Sequence, residues 1–553
     1  MEIESPILAD IAPAASKTKS LQWLILFGAL FIVIDLKLIF ASALPGPWFL
    51  PDEVLYINEA RSLATTGELI RGTQPGWPLL LSGVVRSLGT HPRAMYFAGV
   101  ALATTLSTLA WVFGYLLATR WLGRAEALGV TLLAATSPGS TLLGWSVLSE
   151  PLFLFLMMMS GWLLVRAVER GGWRDWTASL AASGLCLAVR PFGICCIAAT
   201  VAGLIVWAAQ ENRRGLAWLA AGTILAVILE LGGGTRLRWT NYPHEHLLIR
   251  QALAKLHTSD GWQTIGGAMT HDATYVLVAT FGVMWAISFA WIVRNWLNWR
   301  RLSAEGRALL VAGCVLIVSM LALSAAMRLI AIDEQMYGRY VEPLAGWAIL
   351  LSGVAWREEG NSNSFRWACG IALAVGLAAA WKLPAGSFTE MNSGGYWYWH
   401  ELSASVHTAA ACGVCALAWL IWMTPLSRRG LGIWLMLPLS IGSTAAIAAH
   451  LHQENRGLTY LREEADAIAS AASAPSPPWI EIWIDPDLAR GSADAWLTCE
   501  YRTWLMRYDL PDAVIGYGRP PGKMPGGVFV LTRARAREHG ALWAADGLRL
   551  YPD

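Results

Sequence analysis

The chain has 553 residues, of which 55% are hydrophobic and only 14% charged, with a net charge of +2 and a mean hydropathy of +0.45. Soluble domains carry roughly a quarter charged residues, so a soluble globular enzyme is excluded. The near-neutral charge gives no bulk attraction to nucleic acid, and no nucleic-acid partner is expected. Seven of the eight cysteines fall in apolar runs and only Cys499 lies in a polar stretch, which excludes a disulfide framework.

Residues 1–20 are polar and read as a cytoplasmic N-terminal segment. The apolar run that follows is long enough to span a bilayer and reads as an uncleaved anchor. With ~20 apolar residues per span, spans are expected near 21–43, 94–118, 126–146, 151–168, 175–190, 192–209, 215–234, 273–294, 307–328, 342–356, 367–383, 405–424 and 431–450. The fold expected is a polytopic α-helical membrane protein of about 13 transmembrane helices over 21–450, followed by a small outer α/β domain at 451–553. Lys17 and Lys19, Arg120 and Arg124, Arg166, Arg170 and Arg174, Arg213 and Arg214, Arg294, Arg300 and Arg301, Arg357, and Arg428 and Arg429 mark alternate connections. Basic residues gather on the cytoplasmic side. That puts the N-terminus inside, the C-terminus outside, and the long segments 44–93, 235–272, 328–341, 384–404 and 451–553 outside. A multi-pass protein of a bacterial inner membrane is expected. The 31 tryptophans, with the aromatic run 395–400, suit interfacial belts.

The first outer loop opens with PDEVLYINEARSLATTGEL at 51–69. Val54, Ile57, Ala60 and Ala64 form one helical face and Gly67 a stop; Asp52, Tyr56 and Glu59 share another face. A turn follows at Gln74-Pro75-Gly76-Trp77-Pro78, then a short amphipathic helix at 79–88. In the tail, alternation predicts strands at 479–484, 526–531 and 547–551 and helices at 493–508 and 533–543.

Three groups of residues can carry chemistry. Asp52 and Glu53 lie at a water–lipid boundary, where a carboxylate takes a proton from a hydroxyl or holds a cation; a solvated helix cap is the plainer alternative. Glu150, in Ser149-Glu150-Pro151, stands at the start of a span, where a carboxylate is costly and tends to be paired or functional. If Asp52 and Glu150 converge, they offer two ligands to a divalent cation. The outward arginines Arg190, Arg236 and Arg339, with Arg238 and Arg250, oppose the usual charge bias, and guanidinium binds phosphate bidentately. Snorkelling to headgroups is the alternative for any one of them. Asp35 and Lys37, inside the first span, read as a structural ion pair with another span. His244 and His246, two apart, make a poor metal pair.

The ordered set formed by the 51–69 loop, Gln74-Pro75-Gly76-Trp77-Pro78-Leu79, Ser149-Glu150-Pro151, Arg190-Pro191-Phe192-Gly193 and Gly338-Arg339-Tyr340 resembles the GT-C superfamily of polyprenyl-phosphate-dependent glycosyltransferases, over roughly residues 20–350. The pattern is most similar to protein O-mannosyltransferases and the lipid A aminoarabinose transferase. The resemblance implies an inverting transferase that moves a sugar from a polyprenyl phosphate to an acceptor hydroxyl outside the cytoplasm. It maps an essential first-loop acid onto Asp52, an outer acidic position onto Glu150, and an Arg-Tyr pair near the lipid phosphate onto Arg339 and Tyr340. Beside these, Glu53 is expected among the catalytic acids, Arg190 and Arg236 among the donor-phosphate contacts, and Tyr56, Gln74 and Trp77 among the substrate contacts. Relatives often carry Lys or His where this chain has Gln74, so another cation must serve the phosphate. A transporter or lipid-linked-sugar flippase is the other reading; it wants duplicated halves, and no internal repeat is visible. The sugar and the acceptor (glycan, lipid or protein) are left open.

Overall fold

The computed structural model describes residues 16–42, 46–47, 52–69, 74–89, 92–233, 254–255, 257–330, 338–359, 362–380 and 433–445, and beyond these only short pieces: 448–449, 463, 465–468, 470, 481–484, 505–509, 514–517, 528–533, 543–545 and 548–552. Helix α1 is Ser16–Ala41, followed by two loop helices, α2 (Asp52–Thr65) and α3 (Gly76–Leu88). The bundle continues through α4 (Pro92–Ala118), α5 (Arg124–Ala135), α6 (Pro138–Trp145), α7 (Glu150–Arg170), α8 (Trp173–Val189), α9 (Gly193–Gln210) and α10 (Arg214–Gly233). Then come α11 (Ser259–Ala279), α12 (Val283–Leu297), α13 (Ala304–Ile330), α14 (Glu342–Glu359), α15 (Asn363–Ala380) and α16 (Ile433–Ala445).

Among the described residues five helices are long and apolar enough to cross a membrane, or up to seven if each of two bent pairs counts as one span. The outer face of α1 presents Leu24, Phe31, Ile32 and Ile39 to the surroundings, which only lipid solvates well. Helix α9 packs along α13, and α7 along α4 and α8.

Two expected single spans are broken. The run 126–146 is α5 and α6, bent by 59°, because Pro138 starts α6 and cannot donate into the preceding turn. The run 273–294 is divided between α11 and α12, which turn by 119°. The hinge holds Phe281 at φ 55° and Gly282 at φ 73°; glycine takes that conformation freely, and the fully buried Phe281 is held there by its packing. The expected span 405–424 and the aromatic run 395–400 lie outside the described residues.

Lys37 is fully buried, but its bonds go to Ser107 Oγ (3.3 Å) and the Ser140 carbonyl (3.4 Å), while Asp35 is exposed. The expected ion pair is thus replaced by neutral oxygens among the described residues. The basic connections meet one another at one end of the bundle, through Arg120–Glu169, Arg357–Glu126 and Arg294–Glu359.

In the tail, strands β1 (Glu481–Ile484), β2 (Val514–Tyr517), β3 (Val528–Arg533), β4 (Trp543–Ala545) and β5 (Leu548–Pro552) form one sheet in the order β2-β1-β3-β5-β4. Strand β1 is parallel to β2 and β3, and β5 is antiparallel to β3 and β4. The strands expected at 479–484, 526–531 and 547–551 coincide with β1, β3 and β5. The helix expected at 533–543 does not run to its ends, since Arg533 closes β3 and Trp543 opens a pairing with Leu550. Of the helix expected at 493–508, residues 505–508 are described, and they are helical.

A large apolar core lies among α4, α5, α7, α9, α11, α12 and α14. A second sits under the loop helices and gathers Val54, Ile57, Ala60, Trp77, Leu81, Val85, Tyr96, Val147, Leu148 and Tyr508. It is this second core that fixes the site.

Candidate active site

Helix α2 starts at Asp52, with Asp52 and Glu53 in its first turn, where the helix dipole favours negative charge. The two acids then diverge. Glu53 is fully buried and accepts the Val147 N–H at 2.6 Å. Trp77, a substrate contact on the sequence reading, is instead fully buried, and its indole donates to the Val147 carbonyl at 3.3 Å. Glu53 and Trp77 thus grip both polar groups of one residue and brace the segment that leads into Ser149 and Glu150. Neither faces a site. Asp52 does, with 35% of its side chain exposed against 5% for Glu150.

Four charges meet there from four parts of the chain. Glu150, in the first turn of α7, pairs with Arg190 at the end of α8. Arg190 is aimed by a tight turn into α9: a Cβ on Gly193 would collide with the Cys186–Leu187 backbone, so only glycine allows α8 and α9 to approach so closely. Arg339, in the short 3-10 turn Gly338–Tyr340, donates from Nη2 to Asp52 Oδ2 at 2.5 Å and holds Nε 3.8 Å from Glu150 Oε1. The Tyr340 ring faces both cations, its centroid 5.2 Å from the Arg190 guanidinium and 5.5 Å from that of Arg339. Phe192 packs on Tyr340 at 5.1 Å. Tyr56, one turn after Asp52 on α2, shares a hydrogen bond of 3.0 Å with Ser149.

The electrostatics follow from this alternation. Burial alone would lower the Arg190 pKa; Glu150, Tyr56 and Tyr340 outweigh it and the net shift is upward. Burial likewise opposes charge on Arg339, and Asp52, Tyr340 and Glu150 override it, so the net shift is well upward. Tyr56 is pushed up to about 12, first by burial and then by Glu150 and Asp52, against Arg190. At neutral pH the site therefore holds two fixed guanidinium charges and a neutral phenol.

Asp52, Tyr56, Glu150, Arg190, Arg339 and Tyr340 are brought together. Gln74 is half-exposed in the turn before α3; Gly76 two residues on abuts Val189 and the Ala188 carbonyl, which sets this turn against the end of α8 that carries Arg190. Arg236, with Arg238, Arg250, His244 and His246, lies outside the described residues. Sequence reasoning passed over Ser149 and Phe192 as partners, although both sit inside the motifs quoted. It also missed Glu342, hidden at the start of a span: it is buried and accepts from the Tyr275 hydroxyl. Glu342 and Glu150 line a small cavity of about 20 Å³ with Ser107, Trp111 and Ser140, room for about one water.

The residues do not fit a divalent cation between Asp52 and Glu150. Each carboxylate already faces a guanidinium, so a metal would sit beside two positive charges. No group of three or more His, Cys, Asp or Glu residues suited to a metal occurs among the described residues.

A family model described as dolichyl-phosphate-mannose-protein mannosyltransferase matches residues 75–231, which include Glu150 and Arg190. The structure is similar to that of ArnT from Cupriavidus metallidurans bound to undecaprenyl phosphate, with a TM-score of 0.54 and 15% identity, covering 98% of each chain. The fold is GT-C. The same ArnT in its apo state aligns with a TM-score of 0.49 and 16% identity over 91% of this chain and 86% of that one. The archaeal oligosaccharyltransferase AglB from Archaeoglobus fulgidus, in complex with an inhibitory peptide and a dolichol-phosphate, aligns at 0.41 and 14% over 91% and 65%. No curated protein sequence matches. Within this fold the charged cluster joins the first loop helix, the starts of α7 and α14, and the α8–α9 turn.

Proposed function

We propose that the chain is an inverting glycosyltransferase that moves a sugar from a polyprenyl-phosphate donor to an acceptor hydroxyl on the outer face of a bacterial inner membrane. About thirteen spans place the N-terminus in the cytoplasm and the tail, a small α/β domain, outside. The observation that carries the reading is the cluster in which Arg339 bridges Asp52 and Glu150 beside Arg190. Paired guanidiniums backed by Tyr340 make a site for a phosphate at the rim of an apolar bundle. A nucleotide sugar is too polar to be available outside the cytoplasm, and a lipid-borne donor meets that need.

At rest Asp52 occupies the Arg339 fork much as a phosphate oxygen would. A donor phosphodiester competes for that fork and releases the Asp52 carboxylate, the more exposed acid, toward solvent. Asp52 then accepts the proton of the acceptor hydroxyl. The hydroxyl oxygen bonds to the anomeric carbon as the bond from that carbon to the phosphate oxygen breaks on the opposite face, which inverts the configuration. The phosphate charge rises from one to two negatives, and Arg190 and Arg339 stabilise the increase. Glu150 keeps Arg190 in place; Glu53 and Trp77 hold the backbone that carries Glu150.

Purified protein in proteoliposomes, supplied with a radiolabelled polyprenyl-phosphate sugar and membrane acceptors, tests the reading. Asp52→Asn should lower transfer by about 10²–10⁴-fold with the protein still inserted and folded; retained turnover removes Asp52 from the mechanism. A chelator should leave the wild-type rate unchanged, and a loss restored by a divalent cation would overturn the metal-free scheme.

A further inference from the structure

A contact far from the cluster ties the tail to the helix that carries Asp52. Arg61, near the end of α2, is 5% exposed. Its Nη1 donates to the Tyr508 carbonyl at 2.9 Å and to Asn58 Oδ1 at 2.9 Å, and its guanidinium lies 5.5 Å from the Tyr508 ring centroid. Its Nε faces Met95 Sδ at 3.4 Å. Asn58 in turn donates from Nδ2 to the Arg507 carbonyl at 3.2 Å. Tyr508 is buried in the core beneath α2 and α3, and Leu505 and Met506 beside it are also buried. Two successive carbonyls from the tail are thus read by two side chains of one helix, across 447 to 449 residues of sequence.

We infer that Arg61 and Asn58 form a clamp through which the C-terminal region sets the rotation of α2 and so the position of Asp52. Helix geometry gives the reason. Nine residues separate Asp52 from Arg61, about two and a half turns, so the two stand on opposite faces of α2. Tyr56, on the Asp52 side, meets Ser149 at the cluster. The front of the helix therefore meets the arginines while its back is held by the tail. A roll of about 20° swings a group 5–6 Å from the helix axis by about 2 Å. A displacement of about 1 Å is enough to cost on the order of a hundredfold in rate. Arg61 touches no reacting atom in this scheme; it is a positioning residue, and the tail is a part of the catalytic apparatus rather than an appendage.

The inference rests on the transferase reading, so its test includes a readout that does not depend on transfer. In the proteoliposome assay Arg61→Ala and Tyr508→Ala should each lower kcat about ten- to a hundredfold, with the KM for the donor within about twofold. Tyr508→Phe keeps ring and carbonyl and should keep the wild-type rate. A short thiol cross-linker joining Asn58→Cys to Arg507→Cys, in a Cys499→Ser background, should restore kcat to Arg61→Ala. Hydrogen exchange supplies the independent arm: α2 amides should exchange faster in Arg61→Ala and return to the wild-type rate on cross-linking. Unchanged kcat in Arg61→Ala, equal damage from Tyr508→Phe and Tyr508→Ala, or no rescue by the cross-link would each overturn the clamp. If wild-type protein transfers nothing, the transferase reading fails, and unchanged exchange in Arg61→Ala would then separately overturn the tether.

Discussion

At one end of the bundle Arg120 meets Glu169, Arg357 meets Glu126 and Arg294 meets Glu359, with the arginine side chains 39%, 51% and 41% exposed. At the other, Arg190 and Arg339 hold Glu150 and Asp52 with the arginines 11% and 10% exposed. The functional groups are the same and the surroundings differ. An exposed pair contributes about 0–1 kcal/mol. A buried one costs several kcal/mol per ion to desolvate, and mutual attraction only offsets that cost. The buried set is therefore a poor device for stability, and its retention needs another reason; a site that must receive a phosphate supplies one.

The largest effect should come from breaking that buried set on one side only. Glu150→Gln or Arg190→Gln leaves a charge without its counterion and should destabilise the protein by about 3–5 kcal/mol, read as the shift in a denaturant or thermal transition in detergent. Transfer should be lost with it. The double variant Glu150→Gln/Arg190→Gln removes both charges and should recover most of the stability while staying inactive. A double variant as unstable as either single one would mean that the pair is structural glue, and the contrast between the two ends would collapse.

A smaller effect sharpens the contrast. The Tyr340 ring faces both guanidiniums, an arrangement with no counterpart among the carboxylate-paired arginines Arg120 and Arg357. Cation–π contacts reach about 2 kcal/mol when desolvated, so Tyr340→Leu should lower kcat/KM about thirtyfold, and Tyr340→Phe should keep most of it. Equal losses in the two variants would shift the role from ring to hydroxyl.

The acids and arginines of the cluster were legible because each stands at the end of an apolar run, where a charge is expensive and therefore informative. The breaks at Pro138 and Gly282 were not: averaged over a whole span both runs stay apolar, and the short stretch Ser137-Pro138-Gly139-Ser140 is smoothed away within the first, because hydropathy counts composition while a helix break depends on a single residue's backbone. Trp77 was misassigned for a related reason, since a tryptophan beside a turn has the same sequence signature whether it lines a groove or plugs a core. Glu53 likewise shares its neighbour's chemistry, and only the fold decides that Asp52 looks outward and Glu53 inward. Glu342 hid inside an expected span. The Arg61–Tyr508 contact left no local signal at all, because it joins carbonyls that any residue would supply to a side chain hundreds of positions away. Of the tail, alternation marked β1, β3 and β5, whereas β2 carries Gly516 and β4 only three residues, too little pattern to register.

The smallest effect belongs to the other end. Arg120→Ala or Arg357→Ala removes one half of an exposed pair, and the carboxylate left behind is hydrated rather than stranded. Each should cost no more than about 1 kcal/mol, and transfer should stay within about twofold. Raising the salt should shrink even that difference, because charges in water are screened over about 10 Å at 0.1 M and 3 Å at 1 M, while the cost of Arg190→Gln should persist, its pair being shielded from solvent. Neither variant should invert the protein in the membrane, since Arg124, Arg166, Arg170 and Arg174 keep the neighbouring connections basic. Accessibility of introduced cysteines to a membrane-impermeant reagent reads that directly. Should Arg357→Ala prove as damaging as Arg190→Gln, and as insensitive to salt, exposure would not be what separates the two ends, and the buried cluster would lose its claim to be the special one.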